Sequence, residues 1–388
     1  MPREPIDVLV VGAGFSGLVM AERLCAGSGL KVVVVDRRHH LAGNAYDRVD
    51  EAGVLVHPYG PHYFRTNSPV VVDYLSRFTG WRPVEYTIKS RARGRLWSFP
   101  VNLATYEQLV GRPATEEEFK AYLDDVREPV AVPRNSEEVV VSRIGRDLYE
   151  LFYEGYTLKQ WQRHPRELDP SVCGRIPIRT HRDERYLSED FQALPDCGYT
   201  VLCERMVEST PGLRLLLGTT FEEAARHFSW HHLVFSGPLD SYFGFRFGCL
   251  PYRSLRFEME SFGPRQLQER EAEAGRPGFW QPAVQVNYPE ADVAFTRIVE
   301  IKHATGQDTP NTTIVREYPA AMELTGEPYY PVPTPEARAM ADRYREAAAA
   351  EARTTFIGRL GRYQYYNMDQ VVAQALHESK KLAALARP

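Results

Sequence analysis

Apolar positions along this chain follow two different periods, and the switch from one to the other marks its first structural unit. The run from Asp7 to Val11 reads as a buried strand. It leads without a gap into Gly12-Ala13-Gly14-Phe15-Ser16-Gly17 and then into an apolar-periodic stretch through Leu24, which predicts strand, tight turn and helix. A second strand over Lys31 to Val35 ends in Asp36. Farther along, Thr115-Glu116-Glu117-Glu118 is a capping box ahead of Phe119, Tyr122, Leu123 and Val126, and a second helical pattern runs from Ser136 to Phe152. Residues 100 to 165 are therefore expected to be mostly helical. Between Leu250 and Val315 the pattern shortens to β-rich runs such as Val284 to Asn287 and Thr312 to Glu317, which predict antiparallel strands. The charged, helix-prone stretch Arg265 to Gly275 reads as a surface excursion within them. Thr334 as N-cap and Pro335 in the first turn open a helix through Ala350, and a strand over Thr354 to Ile357 precedes Gly358-Arg359.

The glycines carry the first chemistry. Gly12 permits the turn, Gly14 lets the backbone approach a diphosphate, Gly17 allows helix and strand to pack closely, and Asp36 stands where this fingerprint places its ribose-binding acid. Phe15 and Ser16 open a helix whose N-terminal N–H groups favour phosphate. A bound dinucleotide is the expectation; an ordinary glycine-rich turn is the bland alternative. At 388 residues the chain exceeds one hydrophobic core, so two or three regions woven from non-contiguous segments are expected. No apolar run approaches the roughly 20 residues of a membrane span. The net charge of -4, with both signs interspersed, leaves no footprint for nucleic acid, so an anionic ligand must be met by locally placed Arg. The five cysteines are scattered without CxxC spacing, which implies neither a disulfide framework nor a metal site. With no signal-like segment before the first strand, a soluble cytoplasmic protein is expected.

Beyond the fingerprint, several motifs stand in order: Gly43-Asn44-Ala45-Tyr46, Tyr59-Gly60-Pro61-His62-Tyr63-Phe64, Gly155-Tyr156-Thr157-Leu158-Lys159-Gln160-Trp161, Gly237-Pro238-Leu239-Asp240, Glu327 through Pro331, and Gly358-Arg359-Leu360 followed by Tyr365-Tyr366-Asn367-Met368-Asp369. Together they resemble bacterial UDP-galactopyranose mutases, over essentially the whole chain. The resemblance implies an α/β fold with a FAD-binding Rossmann-like domain (residues 1–78, 200–245 and 345–388), an inserted helical domain (100–172) and an antiparallel β-sheet substrate domain (79–99, 173–199 and 246–344). It implies an isomerase that interconverts the pyranose and furanose forms of a nucleotide-diphosphate hexose without net redox change. N5 of reduced FAD attacks the anomeric carbon and expels a nucleoside diphosphate that later returns. An external reductant and a homodimer or larger homo-oligomer follow from the same resemblance.

The family's site residues map onto this sequence one by one. Arg175 and Arg297 match the arginines that hold the diphosphate, a task suited to bidentate, permanently charged groups, although an isolated Arg is more often a surface residue. Arg175 closes the stretch Pro165 to Arg175 that resembles the family's mobile loop. Tyr156, Thr157 and Trp161 match the nucleoside wall, and Tyr318 and Tyr365 match tyrosines that contact diphosphate or sugar. Asn102, after Pro100, is a further sugar or flavin contact or simply a turn residue. Gly12, Gly14, Phe15, Ser16, Gly17, Asp36, Arg37, Gly43 and Asn44 match the cofactor side, as do Arg359, Asn367 and Met368 ahead of the last helix. His62 resembles a histidine packed by the flavin ring; nothing in the sequence fixes a partner for it or gives it acid-base work.

Three positions depart from the pattern. The family's His-x-x-His reads His62-Tyr63-Phe64-Arg65, an aromatic pair reads Tyr186-Leu187, and Tyr-Thr-Arg reads Phe295-Thr296-Arg297. Arg65 suits an added acceptor such as an acetamido carbonyl, and Leu187 leaves room for the methyl of thymine. UDP-galactose therefore stands as the first expectation, with UDP-N-acetylgalactosamine or a dTDP-6-deoxyhexose such as dTDP-fucose as alternatives. An FAD oxidoreductase of the amine-oxidase type and a flavin-free binding protein share the fold; Arg175, Arg297 and the Gly155 to Trp161 motif argue against the first, and the intact fingerprint with Asp36 against the second.

Overall fold

The computed structural model describes residues 2–385. Its parallel five-stranded sheet runs in the order Arg214–Leu217, Val32–Asp36, Glu4–Val11, Phe228–Phe235, Thr354–Phe356. Alternate residues of its central strands feed two separate cores. Val8, Val10, Val32 and Val34 pack with helices Phe15–Ser28 and Met368–Leu385, while Leu9, Val33 and Val35 pack with Ala337, Ala341 and Tyr344 of helix Pro335–Ala349. Helices cover both faces, which is why these strands read as continuous apolar runs rather than alternating ones.

A mixed seven-stranded sheet follows the order Tyr330–Pro331, Tyr252–Phe262, Thr312–Ala321, Arg297–Val299, Gln285–Asn287, Ile88–Ala92, Arg95–Phe99. All its pairings are antiparallel except that of Gln285–Asn287 with Ile88–Ala92. The helix Pro264–Ala274 leaves this sheet where a charged excursion is expected. A smaller sheet joins Phe64–Thr66, Phe191–Pro195 and Trp81–Pro83. These three strands fall on both sides of the domain boundaries drawn from sequence, so they stitch the dinucleotide region to the substrate region.

Helices Leu103–Val110, Glu116–Val126 and Ser136–Tyr149 build the third region. Thr115 and Glu118 exchange the two hydrogen bonds of the expected capping box. The pattern from Ser136 to Phe152 predicts one continuous helix, but the structure breaks it at Gly145. That residue has φ +78°, and a Cβ there would lie 2.6 Å from the Val126 carbonyl. A π-turn over Glu150–Glu154 then feeds the short helix Gly155–Trp161. Such irregular turns re-aim the following helix and are frequent near functional sites. Among the described residues no helix is long and apolar enough to cross a membrane.

Candidate active site

Two recesses adjoin. The first is a crevice at the carboxyl end of the parallel strands, and it is built mostly from backbone. Gly12 has φ +107°, and a Cβ there would meet Ser236; a Cβ on Gly17 would lie 1.9 Å from the Gly12 carbonyl oxygen. Gly14 and Gly43 face each other so closely that a Cβ on Gly43 would come within 3.1 Å of the Gly14 Cα. The helix beginning at Phe15 has no side-chain N-cap although Phe15, Ser16 and Gly17 are buried, which leaves its first amides to an external acceptor. Asp36 accepts the Ala13 N–H at 2.7 Å and the Arg38 N–H at 2.9 Å, which fixes its carboxylate at the rim. These features fit the diphosphate and ribose of a dinucleotide.

The second recess is a chamber of about 270 Å³ between the helical region and the seven-stranded sheet. Helix Gly155–Trp161 contributes Tyr156, Thr157, Gln160 and Trp161, and Arg175 follows helix Ser171–Gly174. Gln285, Asn287 and Arg297 enter from strand ends, where Asn287 lies directly opposite Arg297 in register. Tyr330 and Tyr365 stack with centroids 5.7 Å apart, and both Arg175 and Arg359 lie over the Tyr365 ring, at 5.1 and 4.9 Å. Arg359 joins the two recesses. Its neighbour Gly358 packs so near Ser16 of the fingerprint helix that a Cβ would come within 2.7 Å of the hydroxyl.

Positive charge dominates this chamber. Arg297 donates through Nε to Glu317 at 2.7 Å, and Glu317 is fully buried. Burial opposes the Arg297 charge, yet Glu317 holds the guanidinium well above its ordinary value. Burial pushes the Glu317 carboxyl up and Arg297 pulls it back. The neighbouring Tyr365 oxygen raises Arg175 further. Burial alone would raise Tyr365, but Arg175, Arg359 and Arg297 bring its hydroxyl down to about 8. A dianionic diphosphate is the complementary ligand for such a cluster.

The structure sorts the residues expected from sequence. Arg175, Arg297, Tyr156, Thr157, Trp161, Tyr186, Leu187, Tyr365 and Arg65 all line the chamber. The Thr157 hydroxyl lies 3.6 Å from the Cys173 sulfur, and Leu187 is buried. Arg65 is not a free cation, because Glu189 takes its Nη1 at 2.7 Å. His62 lies outside the lining. Its Nδ1–H donates to the Gly60 carbonyl at 2.9 Å, and burial, with His57 beside it, lowers the imidazole to about 3, so it stands neutral. Asn44 accepts from Arg38 at 2.8 Å, Met368 begins the last helix and the Asn367 N–H donates to Gln370.

Four of the expected residues lie outside the chamber lining. Asn102 is buried and consumed as the N-cap of helix Leu103–Val110, with its amide donating to Ser98 and Pro100, so it is absent from the chamber wall. Tyr318 donates to Glu258 and lies under Arg256, away from the site. Its strand neighbour Glu317 takes the inward face, and period-two alternation sends Tyr318 outward. Phe295 belongs to the turn before Arg297 and packs edge-on against Tyr318 at 5.9 Å. Arg37 is largely exposed on Glu327, whereas Arg38, pinned between Glu327 and Asn44 and lying over Tyr59, is the arginine at the crevice. Sequence reasoning also missed Tyr330, Gln285 and Asn287. Tyr330 stands within the Glu327 to Pro331 motif, whereas Gln285 and Asn287 reach the chamber only through strand register.

Comparison with known proteins adds to this geometry. The profile of a family described as UDP-galactopyranose mutase matches residues 151–365, and that of an NAD(P)-binding Rossmann-like domain matches residues 10–78. A probable UDP-galactopyranose mutase of Klebsiella pneumoniae is 34% identical, over 95% of this chain and 93% of its own. The dTDP-fucopyranose mutase of Escherichia coli is 32% identical, over 95% of this chain and 96% of its own. The crystal structure of a reduced UDP-galactopyranose mutase superposes with a TM-score of 0.74 at 16% identity, covering 98% of this chain and 94% of that one.

Proposed function

This chain belongs to the UDP-galactopyranose mutase family, and from that premise we propose that it is a flavin-dependent isomerase that interconverts the pyranose and furanose forms of a nucleotide-diphosphate hexose, with UDP-galactose the first substrate to test. The observation that carries the reading is the convergence of Arg175, Arg297, Tyr330 and Tyr365 in one chamber that Arg359 connects to the dinucleotide crevice. When bound there, FAD in its reduced form supplies a nucleophilic N5 for the anomeric carbon.

The chain's own residues then do four things. Arg175 and Arg297 hold the diphosphate as it leaves and keep it poised to return, which converts recapture into an intramolecular step. Tyr330 and Tyr365, stacked beneath Arg359, offer neutral hydroxyls to the diphosphate oxygens. Trp161, Tyr156 and Tyr186 supply aromatic surface for the base and exclude water. His62, neutral at working pH, offers packing rather than a proton.

Anaerobic incubation of the reduced and the oxidised protein with UDP-galactose tests this reading. Furanose product forms with the reduced protein alone; equal turnover by the oxidised protein removes it. The same reading carries an external reductant and a homodimer, the latter checked by light scattering.

A second substrate reading has its own support, because Leu187 and Arg65 both line the chamber. Leu187 gives up a stacking interaction of about 1 to 3 kcal/mol and frees volume for a thymine methyl, while Arg65, tethered by Glu189, alters the polar wall. A dTDP-6-deoxyhexose or UDP-N-acetylgalactosamine fits one change each. Turnover of UDP-galactose, UDP-N-acetylgalactosamine and dTDP-fucose by the wild type, Arg65→His and Leu187→Phe separates these; an unchanged preference for UDP-galactose in all proteins retires the second reading.

A further inference from the structure

The helix Gly155–Trp161 presents one face to the chamber and another to a loop, and the second face touches no chamber residue of the proposed reaction except through that loop. Gly155 and Lys159, at i and i+4, share that second face. A Cβ on Gly155 would lie 2.3 Å from the Pro289 carbonyl oxygen, so the bare backbone is pressed against the loop. One turn later the Lys159 ammonium shares its three N–H donors among four carbonyls, those of Glu290 and Val293 at 2.8 Å, of Phe295 at 3.0 Å, and of Tyr288. The segment so gathered is the turn between strands Gln285–Asn287 and Arg297–Val299, whose facing ends present Asn287 and Arg297 to the chamber.

We propose that Lys159 is a positioning residue for diphosphate binding: its ammonium acts as a resident cation at the centre of the 288–295 turn, locking Arg297 to the helix that carries Tyr156 and Trp161. Convergent carbonyl oxygens repel one another and need a donor or cation among them. Without the ammonium the turn opens, and the register that sets Arg297 against the opposite wall loosens. The inference rests on the mutase reading for its assay but concerns geometry alone. Four backbone oxygens around a point charge are also the environment that replaces the hydration shell of a potassium ion, so a truncated side chain leaves a cage that a free cation of similar size fills.

The test uses the full flavin-loaded chain. Lys159→Ala raises both the KM for the nucleotide sugar and the Kd for UDP by about tenfold or more, with a smaller change in kcat and unchanged flavin content. Potassium or ammonium chloride restores most of that loss, lithium or tetramethylammonium chloride at equal ionic strength does not, and the wild type responds to none of them. Gly155→Ala, which pushes the Pro289 carbonyl away while keeping the ammonium, raises the same constants without cation rescue and decides the matter if Lys159→Ala fails to fold. Wild-type-like KM and Kd in the folded variants, or a loss equal in every salt, overturns the proposal. A wild type that turns over no nucleotide sugar overturns the functional reading instead, while the UDP Kd still reports on Lys159.

Discussion

The crevice and the chamber meet at Arg359 yet are made in opposite ways. The crevice is shaped by what is missing: side chains absent at Gly12, Gly14, Gly17 and Gly43, and helix amides left uncapped. The chamber is shaped by side chains that arrive from distant segments and hold one another in place, as Glu317 holds Arg297 and Tyr330 stacks on Tyr365. A backbone-built site tolerates almost no added atom; a side-chain-built site tolerates single losses at graded cost.

The largest effect expected is therefore in the crevice. Gly17→Val drives new carbon into the Gly12 carbonyl and abolishes flavin binding, seen as loss of visible absorbance in the purified protein; a yellow variant breaks the contrast. Next comes Arg297→Ala, which removes a charge-assisted contact of about 1.5–3 kcal/mol to the diphosphate and lowers kcat/KM at least tenfold. It also strands Glu317, at a cost to stability of roughly 3–5 kcal/mol, which Glu317→Gln in the same chain partly relieves in a denaturation experiment. Arg175→Ala lowers kcat/KM by a similar factor without that stability loss, and flavin content holds in both.

A pH effect of intermediate size follows from Tyr365. Its hydroxyl, brought down to about 8 by the three arginines, ionises as pH rises through that value and sets a negative oxygen among the arginines that receive the diphosphate. UDP affinity is full below that pH and falls severalfold above it. Tyr365→Phe flattens this limb, and a limb that persists in Tyr365→Phe assigns it elsewhere. The smallest effects belong to two residues outside the chamber lining: Phe295→Tyr and Tyr318→Phe change kcat/KM by less than about twofold, as surface and satellite contacts do.

The same contrast explains what could be read from the sequence. Gly12 through Asp36 form one contiguous unit, and each glycine has a fixed local duty, so spacing alone located the crevice. Arg175 and Arg297 were reachable only through motif resemblance, because nothing local distinguishes a chamber arginine from a surface one. Tyr318 stands one residue out of phase with the inward-facing Glu317, and a one-residue shift reverses the face of a strand. The partnership of Glu317 with Arg297 depends on pairing between strands Arg297–Val299 and Thr312–Ala321, which no local pattern states. The break at Gly145 was hidden because its cause, the Val126 carbonyl, lies in another helix.

The order of the parallel sheet has a consequence for how the protein is born. Glu4–Val11, made first, sits between Val32–Asp36 and Phe228–Phe235, and the edge position is filled only by Thr354–Phe356. During synthesis the opening βαβ unit waits with one strand edge unpaired until Phe228–Phe235 has emerged, and Gly358 reaches Ser16 later still. Contacts between such distant parts of a chain close slowly, and an exposed edge invites pairing with other chains meanwhile. A chain that stops short of Thr354 thus lacks both the edge strand and the Gly358 contact that complete the platform beneath the phosphate-binding helix.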